Sequence, residues 1–463
     1  MKKYFAIIML PLVLFSTSCN NWIDEVATSP NSPTEVTPDL LLTVSEVAMQ
    51  TLYTGQLSRT ASILIQQCAG NDFQMIDVRD YKITELSNIN EWKTVYADAL
   101  INQQTLIDLA SGENPWYAGI GRVLKCMTIG IATDFWGDIP YSEALQGLDG
   151  TDAALNPNYD TQESIYSQMQ SELDDAIAEL SSAPEANAMK PSSDDFIHNG
   201  DVSMWIKAAY MLKARYANHK SEIDPSGSAT EALGYLAAAG LTGNGDNTNA
   251  IFGINGNELN PWNSFNNTRA GYIKMGVYLV DLLEGLSDPR LPLYATTDVG
   301  GLYSGAPIDG TDNNASDVGS LYATDNAPLP LLTYYEMKFI EAEASLRNGD
   351  PTTAASAFNE AVIANLEATV GTADAGYVAA NASETSGTIT LEKIMTQKYI
   401  AMFLQTESWT DVRRTGVPVL AVNPVAIYDA IPVRFPTCID ERLYNSNAQV
   451  IGDPLVPVWF DAD

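Results

Sequence analysis

The sequence predicts a mostly α fold: a tetratricopeptide-like scaffold of helical hairpins carrying long irregular loop insertions. Three observations support it. First, Tyr334 to Leu366 reads as two helices joined by a tight turn. Met337, Ile340 and Ala344 recur at helical spacing, and Phe339, Ala342 and Leu346 form a second row, giving a broad apolar face. Asn348-Gly349-Asp350-Pro351 then breaks the helix, since glycine takes the left-handed conformation that closes a helix and proline suits the first turn of the next. Ala354, Phe358 and Ala361 follow the A-x3-F-x2-A order of a tetratricopeptide second helix, although the first helix lacks that motif's Trp and Gly. An ordinary antiparallel hairpin would read the same way on this stretch alone. Second, amphipathic segments recur with no strict period, as in a diverged repeat interrupted by insertions. Third, Gly, Asn, Asp and Thr dominate from Leu241 to Leu329, and long loops of that texture often carry function.

In chain order, Thr37 to Gln67 predicts two helices parted near Thr54-Gly55. Asn71 to Asn90 reads as an irregular loop with Phe73 and Tyr81 among polar residues. A helix over 90–109 places Trp92, Val95, Tyr96 and Ala99 on one face, and Ser111-Gly112 stops it. From Trp116 to Phe135, Ile120, Val123, Leu124, Met127 and Ile131 keep helical spacing, and Gly137 and Pro140 end the run. Thr161 to Leu180 aligns Ile165, Met169, Leu173, Ala176, Ile177 and Leu180; Asp201 to Lys220 aligns Trp205, Ala208, Ala209, Leu212 and Tyr216. Ala229 to Ala239 is a short partner, and one helix is expected within the loop-rich region, from Tyr272 to Gly285. Helices return over 331–366 and 391–404, and the end is irregular and interrupted by proline.

The ends of the chain and its charge bound the function. Lys2 and Lys3 precede an apolar run from Tyr4 to Phe15 that is too short to span a bilayer, so residues 1–18 read as a secretory leader. Leu14-Phe15-Ser16-Thr17-Ser18-Cys19 resembles a bacterial lipoprotein box, in which the Cys sulfur is acylated and the chain is cut before it; an ordinary leader with a chance Cys is the competing reading. Residues 19–38 are then a flexible tether rich in Asn, Ser, Thr and Pro, and 39–463 a single helical domain with its ligand region at about 241–330. The 463 residues carry a formal net charge of −34, which repels phosphate backbones and excludes nucleic acid as a natural partner. The four cysteines leave Cys68, Cys126 and Cys438 once Cys19 is lipidated, and three cannot all pair internally; Cys68 and Cys126 lie in apolar runs and are expected as buried free thiols. The two histidines, His198 and His219, are not at ligand spacing, so no metal, cofactor or catalytic residue is assigned.

Several stretches together are similar to one family. The lipoprotein-like start, DFWGDIPYSEAL from Asp134 to Leu145, the helix after Tyr159-Asp160, Asp288-Pro289-Arg290-Leu291, and the hairpin at Lys338 resemble SusD/RagB outer-membrane lipoproteins. So do Glu407-Ser408-Trp409-Thr410-Asp411-Val412-Arg413-Arg414-Thr415-Gly416 and the tail with Pro432-Val433-Arg434-Phe435-Pro436, Glu441, Asn445 and Trp459-Phe460-Asp461. Their order covers nearly the whole chain and is most like the compact SusD-like branch. The resemblance implies a non-catalytic protein on the outer membrane, facing outward. It would hold glycans, or in some branches peptides, and cap a SusC-like TonB-dependent transporter. A surface-anchored glycoside hydrolase is the alternative; with 58 acidic residues, some pair will lie at glycosidase separation, so such a pair is no evidence by itself.

The family signatures have local readings too. Trp409, Asp411, Arg413 and Arg414 read as either a catalytic cluster or a buried ion-pair knot that locks the last helices. Trp136 and Tyr141 read as either a sugar platform or packing at a helix exit. Asp309, Asp312, Asn313, Asn314 and Asp317 read as either a calcium cage or a polar loop, and their spacing fits no standard calcium loop. A sugar site needs exposed rings with amides or Arg beside them. Asn71-Asp72-Phe73-Gln74 and the Pro- and Asn-rich stretch Asn260 to Arg269 supply both. Trp262 is the expected platform, with Phe265 or Phe73 as second surface, Asn263 and Arg269 as hydrogen-bonding groups, and Tyr272 behind. In the competing reading the rings of Trp262 and Phe265 plug the insertion onto the scaffold.

Overall fold

The computed structural model describes residues 36–147 and 150–461. The expected leader, Cys19 and nearly all of the expected tether lie outside the described residues. Helices α1 (Pro38–Thr54) and α2 (Gln56–Leu64) part at Gly55, as the sequence suggests. The next stretch is less irregular than expected: strand β1 (Cys68–Gly70) leads into a short helix, α3 (Gln74–Arg79). A helical run from Ile89 passes through a π-helical segment, Thr94–Leu100, into α4 (Ile101–Ala110).

The central helix, α5 (Pro115–Trp136), is buried along most of its length, as an almost wholly apolar helix must be. The two-residue strands β2 (Ile139–Pro140) and β3 (Tyr159–Asp160) pair beyond it. Side-chain caps fix the following starts. Thr161 accepts from Ser164 N for α6 (Gln162–Leu180), and Asp201 from Ser203 N for α7 (Val202–His219). α8 (Pro225–Ala239) starts before the expected Ala229, because Asp224 caps it and Pro225 occupies the first turn.

The insertion begins with β4 (Thr248–Ala250) and holds α9 (Pro261–Thr268), β5 (Ile273–Met275) and α10 (Val277–Gly285). Two expectations are corrected here. Asn260 to Arg269 is mostly helix rather than loop, because Asn260 accepts from the Trp262 and Asn263 amides and Pro261 opens the first turn. The helix expected from Tyr272 starts at Val277, since Ile273–Met275 is drawn into a ladder with β1. Strand β6 (Leu329–Leu332) pairs with β4 and delivers α11 (Tyr334–Arg347) and α12 (Pro351–Thr369).

Helices α4 to α8 each pack on the next, α8 packs on α11, and α11 pairs with α12. This is the stack of hairpins expected of a tetratricopeptide-like scaffold. At the α11–α12 turn Gly349 has φ 76°, and Asp350 caps α12 through Thr353 N. Phe358 meets Phe339 edge-on at 6.2 Å between fully buried Ala354 and Ala361. Cys68, Cys126 and Cys438 are buried free thiols.

The last helices, α13 (Leu391–Ala401) and α14 (Glu407–Thr415), are locked by a buried ionic cluster. Arg414 grips both oxygens of Glu343 at 2.5 and 2.6 Å and reaches Asp411 at 2.6 Å, while Lys398 holds Asp411 from the other side at 2.8 Å. Arg413 stacks 3.9 Å over Trp409 and donates to the Asp134 and Val433 carbonyls. Trp409, Asp411 and Arg414 are buried. No oligomer reaches them, and the knot is structural. Trp136 is likewise packed, 2% exposed between Trp92 and Phe435.

Candidate functional site

The β1–β5 ladder brings two distant loops together. Cys68 faces Met275, Ala69 faces Lys274 and Gly70 faces Ile273, antiparallel. Just beyond it, the Asn71 and Asp72 amides both donate to the Tyr272 carbonyl. The chain then turns sharply, and only glycine fits at Gly70, where a Cβ would lie 1.8 Å from the Met75 carbonyl oxygen. The turn leaves Phe73 at φ 44°, ψ −132°, a sparsely populated conformation for a bulky residue. Its ring is 64% exposed and stacks on Tyr272, 4.8 Å between centroids and 20° between planes. Strain of this kind costs about 1–3 kcal/mol and collects at functional sites.

The acidic loop that includes Asp309 acts as a strut for this turn. Asn71 donates to Asn313 Oδ1 at 2.8 Å and accepts from Asp312 N, Asp312 caps Asn314 N, and Asp317 pairs with Lys274 at 2.8 Å. These side chains serve separate partners.

Behind Tyr272 the aromatic row continues to Phe265, edge-on at 6.2 Å. Two guanidiniums flank Phe265: Arg59 at 4.4 Å and the exposed Arg269 at 5.3 Å from the ring centroid. The Arg59 pKa is pushed down to about 10, chiefly by burial, with Glu91 opposing and Arg269 adding to the depression. Nothing in the sequence singled out Arg59, which lies on α2 some 200 positions before Phe265.

The other expected site residues are corrected. Trp262 is not a platform: it is 0% exposed, and its indole donates to Ser58 Oγ at 3.0 Å. Asn263 is 7% exposed and spends its amide on Asp325 at 2.7 Å. Phe265, also 7% exposed, backs the site rather than offering a surface. Helix α9 turns all three inward, Trp262 and Phe265 toward α2 and Asn263 toward Asp325 in the neighbouring loop. Phe73, Tyr272 and Arg269 remain together at the surface.

A cleft of about 280 Å³ opens beside Gln74, lined by Gln56, Thr60, Asp77, Asn90 and Glu91. A larger one, of about 720 Å³, lies elsewhere, between α4, α5 and α6. Its one aromatic, Tyr141, is half-buried under Lys125, so the larger cleft offers no exposed ring for stacking. In the core, Asp134, His219 and Glu407 bring ligand atoms within 4.8 Å of one another. His219 already bonds Glu407 at 2.7 Å and Tyr166 at 2.8 Å, and Tyr166 donates to Asp134 at 2.5 Å, so hydrogen bonds satisfy the group as it stands.

No curated protein matches this chain. Among solved structures, a chitin-binding protein superposes with a TM-score of 0.77 at 23% identity, covering 92% of this chain and 100% of its own. A chitin-binding SusD homolog from Flavobacterium johnsoniae gives 0.76 at 22%, covering 91% and 99%. A SusD/RagB family protein from Bacteroides thetaiotaomicron gives 0.75 at 25%, covering 92% and 99%. The SusD-like family described as "Starch-binding associating with outer membrane" matches residues 30–436, and the chain belongs to it.

Proposed function

We propose that this protein is a non-catalytic, lipid-anchored capture protein. It holds an oligomeric nutrient, a glycan, at the outer face of the outer membrane and passes it to a SusC-like TonB-dependent transporter. In this reading residues 1–18 are the leader, Cys19 carries the lipid, 19–38 are the tether and 39–463 the body. The observation that carries the capture reading is Phe73. A strained, exposed ring on an aromatic support is what the apolar face of a sugar stacks upon, and Gln74, Arg269 and the neighbouring cleft offer partners for its hydroxyls. The relatives described as chitin-binding support a glycan over a peptide.

The test is a glycan and peptide array probed with the purified chain in mild detergent, followed by calorimetry. The expected outcome is binding of an intact oligomer in the micromolar to millimolar range, about −8 to −4 kcal/mol, since captured cargo must be released again. Steady production of shorter oligomers would favour the hydrolase, and peptide binding without glycan binding would reassign the cargo.

A further inference from the structure

In this strongly acidic chain the arginines are matched. Arg122, Arg215, Arg290, Arg414 and Arg442 hold carboxylates within 3 Å, and Arg413 holds backbone carbonyls. The remaining described arginines also reach a carboxylate or a carbonyl, with two exceptions. Arg59 and Arg269 have no carboxylate within ion-pair distance among the described residues. Arg59 makes one long side-chain hydrogen bond, 3.4 Å to Gln56, and its buried Nε has no partner. Arg269 offers its guanidinium to the Phe265 ring and to solvent. The two like charges share that ring, one aromatic step from the Phe73–Tyr272 stack.

Two neighbouring cations repel each other, Glu91 offsets the charge of Arg59 only from beyond ion-pair distance, and a partly buried guanidinium with an unsatisfied N–H is costly. A planar carboxylate or a sulfate group relieves both, because the guanidinium fork matches its oxygens. We propose that Arg59 and Arg269 form the anion-recognising end of the Phe73 site, and that the captured oligomer is an acidic glycan bearing carboxylate or sulfate groups. The inference rests on the capture reading and adds the charge of the cargo. A neutral oligomer stacks on Phe73 equally well but leaves the cation pair unmatched.

The test uses matched oligosaccharides. Oligogalacturonate is compared with its methyl ester, and κ-carrageenan oligosaccharide with the uncharged agaro-oligosaccharide, each titrated into the full chain in detergent. The charged member of at least one pair should bind about tenfold or more tightly than its neutral counterpart. Whichever pair responds tells carboxylate from sulfate. Arg269→Gln, at an exposed position, should abolish most of that preference without lowering the melting temperature. Arg59→Lys should weaken it by keeping the charge and losing the fork. Equal binding of charged and neutral members, with Phe73→Ala still weakening both, overturns the acidic-glycan inference and leaves capture standing. A preference that survives Arg269→Gln also overturns it. Failure of every glycan here and on the array removes the capture reading and the inference together.

Discussion

Two regions of this molecule combine arginine with aromatic rings, and they do so to opposite ends. In the knot on α14, Arg413 lies over Trp409 with its N–H groups on carbonyls, and Arg414 is clasped by Glu343 and Asp411. Arg414 bonds through all three of its nitrogens, although Arg413 Nε, like Arg59 Nε, is left without a partner. Beside Phe73, Arg59 and Arg269 also lie over a ring, but among the described residues no carboxylate pairs with them at ion-pair distance, and the platform residue faces solvent. The same residue types thus form a lock where their charges are paired and, in the proposed reading, a receptor where they are not. The distinction is one of satisfaction, not of composition.

The comparison breaks most visibly in the knot. Glu343→Ala leaves Arg414 as a buried charge with half its partners, and should cost about 3–5 kcal/mol of stability, read by thermal melting. Trp262→Ala should behave like a knot variant and not a site variant. It removes a fully buried indole at a cost of about 3–5 kcal/mol, while the surviving folded protein binds glycan normally. Lost affinity without lost stability would return Trp262 to the site.

Acid sharpens the same contrast. Burial alone would raise the pKa of Glu343, but Arg414 outweighs it and holds the carboxylate at about 2, below its ordinary value of 4.5. A depressed pKa stabilises the fold above the unfolded value and stops doing so as pH falls through the folded one. Stability from the knot should therefore be complete above about pH 5 and drain away toward pH 2, measured by melting across that window. The smallest effect belongs to the receptor. Phe73→Ala should weaken glycan binding about fivefold, on the order of 1 kcal/mol, and leave stability within about 1 kcal/mol of the parent.

The scaffold was legible because it is written locally. The helical spacing of apolar residues marks α5, α6 and α7, and Thr161 and Asp201 announce where the latter two begin. The site was legible in part. An aromatic among amides at Phe73 stood out by composition, as did Arg269 and Tyr272. Trp262 and Phe265 differ from expectation because Asn260-Pro261 has the composition of a loop but is the cap and first turn of a helix. Arg59 could not be found from its surroundings on α2, for it acquires meaning only from Phe265, and the join between Phe73 and Tyr272 depends on a strand register that no local pattern encodes.

That register also sets an order of events. Asn71 and Gly271 bond across a sequence separation of 200, and the ladder beside them has three residue pairs. So short a ladder cannot hold such a loop closed by itself; the helices in between must already be stacked to bring its strands within reach. The proposed receptor is therefore expected to assemble after the scaffold, so that a chain still folding would present no platform to cargo.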